Sequence, residues 1–120
     1  TQGRHLVVDS VGMNSAAAAV FELWTVTGTG SGTTATPACL NRAAPRVASA
    51  TALQGNGDTP VSGLTEEVRV DIAGCVAGGH EEFRLDDRLR IGQGGAIAIK
   101  CDAVTGSEIR TYGVIFGFYE

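Results

Sequence analysis

Charge is scarce in this sequence. Acidic and basic residues make up 18% of its 120 residues, against about 25% in an ordinary soluble domain. Lysine is almost missing, with Lys100 alone beside eight arginines. The net charge of −4 argues against a basic nucleic-acid-binding surface. Arginine's planar, weakly hydrated fork tolerates interfaces better than an ammonium group does, so a lysine-poor, low-charge surface suits a protein that works in an assembly. GC-rich coding, which favours Arg, Ala and Gly, produces the same bias. Long hydrophobic runs are also lacking, and none approaches the roughly 20 residues of a membrane-spanning helix. The opening Thr1-Gln2-Gly3-Arg4-His5 lacks the charged-then-apolar layout of a secretory leader. Neither a membrane nor a nucleic acid is expected as a partner. Cysteine is limited to Cys39, Cys75 and Cys101, an odd set with no C-x-x-C pair and no Cys/His ligand spacing. That argues against a secreted disulfide scaffold. Buried free thiols are the simplest reading, with oxidation of one pair left open.

What is present is glycine, 17 residues of it, in a chain that is 43% hydrophobic. So much glycine favours many turns and short strands over long helices. The length corresponds to one domain spanning residues 1–120, and a chain of this size can build a core without a metal or disulfide. Residues His5 to Met13 read as a strand, Asn14-Ser15 as a turn, and the β-forming run Val20 to Val26 as a second strand reaching back into the alanines. Thr27 to Thr34 reads as a loop, and Val47 to Leu53 as a weak strand. The clearest alternation is Glu66 to Ala73, with Val68, Val70 and Ile72 expected on a buried face and Glu67, Arg69 and Asp71 on a wet one. Glu82 to Leu85 and Leu89 to Ile91 follow as strands on either side of an Asp86-Asp87 turn. After the Gly92 to Gly95 turn, Ile97, Ile99 and Cys101 alternate with small residues. Finally, Tyr112, Val114, Phe116 and Phe118 share one face of the last strand, expected to be its core side, while Gly117 on the other side leaves room for a neighbouring strand or subunit. About eight short strands with turns every eight to twelve residues predict an all-β fold. Its form is a single antiparallel β-sandwich, jelly-roll-like, with no helix beyond about two turns. Residues 1–4 are polar and form a short N-terminal arm.

Reactive residues occur without a reactive arrangement. His5 and His80 stand apart from any G-x-S-x-G elbow. His80, Glu81, Glu82, Asp86 and Asp87 lack zinc spacing, and Asn56-Gly57-Asp58 lacks the later glutamate of an EF-hand loop. The Gly28-Thr29-Gly30-Ser31-Gly32 run is not a G-x-G-x-x-G phosphate loop. Trp24 suits a core or an interface more than a ligand platform, and no aromatic ladder interleaves with arginine as single-strand nucleic-acid binding requires. The chain is expected to be no enzyme, and no cofactor or metal is expected.

Two segments carry a resemblance. Thr34-Ala35-Thr36-Pro37-Ala38-Cys39-Leu40-Asn41-Arg42 resembles a T-x-T-P-x-x-L-N-R stretch, and Leu89 to Lys100 with Gly113 to Tyr119 resembles a closing region of strand, G-Q-G turn, A-I-A-I-K strand and aromatic strand. Both are features of small β-rich virion proteins of tailed bacteriophages, and together they cover about half the chain. Cys39 and Cys101 depart from that pattern. The resemblance implies a structural role: a capsid decoration (cement) protein, commonly a homotrimer, that binds the phage major capsid protein on the virion exterior after assembly in the host cytoplasm. A tail or fibre component with a receptor- or glycan-binding tip is the alternative. Candidate assembly contacts are Thr1, Gln2, Gly3 and Arg4 of the arm, Asn41, Arg42 and Arg46 of the long loop, and Gly117.

Overall fold

The structure is a computed structural model, and it describes residues 5–37, 43, 50–54, 60–103 and 111–119. The fold is all-β, and none of the described residues is helical. Eight strands follow in order: β1 (Leu6–Ser15), β2 (Ala19–Thr27), β3 (Thr33–Ala35), β4 (Ala52–Gln54), β5 (Thr65–Cys75), β6 (His80–Ile91), β7 (Ala96–Ala103) and β8 (Thr111–Tyr119). The chain separates into two compact units, Thr1–Thr27 with Glu66–Glu120, and Gly28–Thr65.

The larger unit is the sandwich. One sheet has the order β6-β1-β8 and the other β5-β2-β7, with β1 antiparallel to both its neighbours and β2 antiparallel to β7. Val8, Val11 and Met13 of β1 and Ala19, Phe21 and Leu23 of β2 meet Cys75, Phe83 and Leu85 in the core. Phe21, Leu23, Met13, Val8 and Val11 are wholly buried, each contributing about 1.5–3 kcal/mol relative to exposure. Ile97, Ile99 and Cys101 pack against this cluster, as their alternation predicts. Two tight turns carry glycine at a positive φ: Gly78 (φ 72) in Val76–Gly79 and Gly94 (φ 81) in Gly92–Gly95. Each is closed by a backbone hydrogen bond, of 2.9 and 3.0 Å respectively, the geometry of a type II turn, which a side chain at that position would strain.

Three expectations are corrected. β2 reaches back into the alanines only as far as Ala19, and Asn14-Ser15 is not a turn. Instead β1 runs on through Asn14 and Ser15, because Ser15 is held on both sides: its carbonyl accepts from the Gly78 N–H at 2.8 Å and its hydroxyl donates to the Ala17 carbonyl at 2.6 Å. Asp86-Asp87 is not a turn between strands but a bulge within the continuous strand β6. Both aspartates take positive φ values, 48° and 60°, and the four residues Leu85 to Arg88 lie opposite Asp9 alone. The Val68/Val70/Ile72 face of β5 is not a buried face, since Val68 and Ile72 are exposed and Val70, Ala73 and Cys75 supply the inward contacts. The phase slips after Val70, where the Ile72 N–H donates to the Asp71 carboxylate at 2.8 Å, a side-chain bond that competes with the ladder.

In the smaller unit β3 and β4 form an antiparallel pair, Thr33↔Gln54 to Ala35↔Ala52, continued by a bridge between Ser31 and Ser62.

Candidate functional site

Strand β8 sets the site. It borders the β6-β1-β8 sheet, paired with β1 on one side and with no strand on the other among the described residues. Its face is fixed by register. Val8 opposes Gly117, Val11 opposes Ile115 and Met13 opposes Gly113. Directly opposed residues share a face, and Val8, Val11 and Met13 point into the core, so Gly113, Ile115 and Gly117 lie on the inward side. Val114, Phe116 and Phe118, opposite Gly12, Ser10 and Val7, lie on the outer face. This reverses the faces expected from the sequence: the aromatic row is not the core side. Val114 is 52% exposed, Phe116 45% and Phe118 48%, and even inward Ile115 is 43% exposed. β8 thus presents apolar side chains on both surfaces.

Gly117 has a role within the chain: a Cβ there would stand 2.5 Å from the Val7 carbonyl oxygen, so its smallness serves the β1–β8 pairing. The other candidate contacts, Thr1, Gln2, Gly3, Arg4, Asn41, Arg42 and Arg46, lie outside the described residues.

Over β1, on the outer face, runs an open cleft of about 240 Å³ lined by Ser10, Gly12, Asn14, His80, Glu82, Val114 and Phe116. Gly12 forms its floor. A Cβ at that position would come within 3.3 Å of the His80 ring. His80 Nδ1 is hydrogen-bonded to the Asn14 side-chain oxygen, and Glu82 opposes Gly12 in the neighbouring strand. The cleft therefore sets an aromatic wall beside polar side chains.

The outer face of the opposite sheet carries two ion pairs. Buried Glu22 accepts from Arg69 Nη1 at 3.1 Å, and Lys100, opposite Glu22 in register, meets Glu66 at 3.0 Å. The hydrogen bond and negative charge of Glu66 hold the Lys100 ammonium above the usual lysine range. Nearby, the half-buried Trp24 has an enclosed indole N–H without a hydrogen-bond partner among the described residues. Cys75 and Cys101 are free thiols on strands either side of β2. Two strand spacings, about 9.5 Å, exceed the reach of a disulfide, so these two do not pair without moving the backbone. Burial pushes the Cys101 thiol pKa up. Cys39 lies outside the described residues. No three of His, Cys, Asp and Glu among the described residues stand close enough to hold a metal ion.

This exposed apolar strand was visible in the sequence only as composition: Thr111 to Tyr119 contains no charged residue. No known protein family, curated protein or solved structure matches this chain.

Proposed function

We propose that this chain is a structural virion protein, a phage head decoration protein that associates with copies of itself and bridges major capsid subunits on the particle exterior. The observation that carries the assembly part is β8, a nine-residue border strand with no charge and with Val114, Ile115, Phe116 and Phe118 each 43–52% exposed. Isolated proteins guard such edges with lysine, proline or bulges. The part that names a virion rests on the resemblance of Thr34 to Arg42 and of Leu89 to Tyr119 to small phage proteins. The arm residues 1–4 and the segment carrying Asn41, Arg42 and Arg46 are its proposed reach to the capsid.

The test is particle composition. Purified virions of a phage encoding this chain should contain it in hundreds of copies, and removing residues 1–4 should lower that occupancy without unfolding the sandwich. A handful of copies would instead support a tail or fibre component. The cleft favours that second reading, because the Phe116 ring beside Asn14, His80 and Glu82 offers a sugar both a stacking surface and hydrogen-bond partners. Absence from particles sinks both.

A further inference from the structure

We infer that β8 pairs antiparallel with β8 of a second copy of this chain, about a two-fold axis through Ile115. The inference rests on the assembly reading above in taking β8 as the contact strand, and adds the partner, the register and the symmetry.

Four strands border the two sheets: β6 and β8, β5 and β7. β5 carries Glu66, Glu67, Arg69 and Asp71, β6 carries seven charged residues from Glu81 to Arg90, and β7 carries Lys100 and Asp102. Pairing any of these with another strand would strip water from charges, which is unfavourable wherever an ion is left unpaired in a dry contact. β8 has no charge. An uncharged edge fits a partner edge that is also uncharged, and of the four sandwich borders β8 alone is one; β3 and β4 are uncharged too but span three residues each, too short to match the nine of β8.

The side chains select the same partner. Gly113-Val114-Ile115-Phe116-Gly117 reads alike from either end: a glycine, three large apolar residues, a glycine. Antiparallel pairing centred on Ile115 sets Gly113 opposite Gly117, Val114 opposite Phe116 and Ile115 opposite itself, with Thr111 opposite Tyr119 so that all nine residues are used. On the outer face each Val114 then meets the other copy's Phe116, an aromatic–β-branched cross-strand pair of the stabilising kind. On the inward face the glycines meet, and the two half-exposed isoleucines cover each other. A one-residue slip would turn every side chain to the wrong face. The contact is isologous, and it joins two three-stranded sheets into one of six. This two-fold contact differs from the three-fold that the family resemblance implies.

The experiment is sedimentation equilibrium of the full chain across the micromolar range, joined to isotope-filtered NMR on mixed labelled and unlabelled copies. The expected results are a two-chain mass and intermolecular contacts from Val114 methyls to the Phe116 ring. Ile115→Lys places like charges opposite each other on the axis and should leave a single-chain species with an unchanged circular dichroism spectrum. Val114→Lys, on the other face, sets a charge against the other copy's Phe116 and should also leave a single-chain species, which guards against a fold defect in the first variant. Val68→Lys, at an exposed site on charged β5, should leave the two-chain mass intact. A wild-type chain that stays single, a three-chain mass, a two-chain mass indifferent to both β8 lysines, or intermolecular contacts in another register would each overturn the inference. Abundance on particles together with a single-chain mass in solution would leave the virion reading standing and this pairing refuted. A two-chain mass together with absence from particles would do the reverse.

Discussion

Gly117→Ala and Gly113→Ala make the same chemical change on the same side of the same strand, and the structure separates them sharply. A Cβ at Gly117 would lie 2.5 Å from the Val7 carbonyl oxygen, a backbone atom that cannot move without shifting β1, whose Val7 and Val8 are wholly buried. A Cβ at Gly113 would lie 2.7 Å from Ile99 Cδ1, the free end of a side chain that can change rotamer. Neither glycine has a positive φ, so backbone conformation does not distinguish them, and in both cases alanine would gain roughly 0.5–1 kcal/mol in strand preference. The difference is therefore packing. At Gly117, relief requires β8 to move away from β1 by about 1 Å, and overpacking of this kind costs about 1–3 kcal/mol. At Gly113 the cost of a rotamer change, about 0.5–1.5 kcal/mol, is nearly cancelled by the propensity gain. Urea unfolding followed by far-UV circular dichroism and by the single tryptophan, Trp24, should show Gly117→Ala destabilised by at least about 1 kcal/mol and Gly113→Ala close to wild type. If Gly117→Ala is as stable as wild type, the β1–β8 register described here is wrong.

Phe21→Ala should cost about 3–5 kcal/mol, since Phe21 is wholly buried, whereas Phe116→Ala should cost well under half of that in the single chain; equal losses in denaturant midpoint would contradict the face assignment. Asp86→Gly and Asp87→Gly should each raise the thermal midpoint, because left-handed backbone costs a non-glycine residue about 1 kcal/mol; a drop would show that the carboxylates contribute more to the bulge than the strain removes. The raised Lys100 pKa means that its contact with Glu66 stabilises below the unfolded lysine pKa and is lost as pH rises through the higher folded value. Both side chains are well exposed, so the effect on stability is small, and the clean readout is an NMR titration in which Glu66→Gln lowers the Lys100 pKa. A titration unmoved by that change would remove Glu66 as the cause.

The strands were legible because alternation and turn residues are local signals. Ile97, Ile99 and Cys101 announce an inward face, and Gly92 to Gly95 a turn, without reference to the rest of the chain. What could not be read locally was phase. Period-two alternation in β8 says that Phe116 and Gly117 face opposite ways, but which of them faces inward is decided by pairing with β1, where Asp9 interrupts the register between Val8 and Ser10. Aromatic content suggested the wrong face, because the outer side of an exposed border strand can be as apolar as a core. The Asp86-Asp87 pair misled for a related reason: aspartate tolerates left-handed backbone in a bulge as readily as in a turn. Of the candidate contacts, Gly117 was found through its smallness, and the neighbouring strand that it admits is β1. The exposed row Val114, Phe116 and Phe118 was seen and assigned to the interior.

The order of pairing has a consequence for how the chain becomes folded. In the sandwich no strand is bonded to the strand next to it in sequence: β1 waits for β6 and β8, and β2 for β5 and β7. Leu6 is matched with Ile91 on one side and Tyr119 on the other. During synthesis the apolar strands β1 and β2 would thus leave the ribosome long before any partner exists for them. Residues such as Phe21 and Leu23 stay exposed until β5 to β8 have emerged. Topologies dominated by such distant pairings fold in about milliseconds to seconds rather than microseconds. The nascent amino-terminal third is accordingly the stretch most exposed to aggregation, and the one a chaperone would be expected to hold.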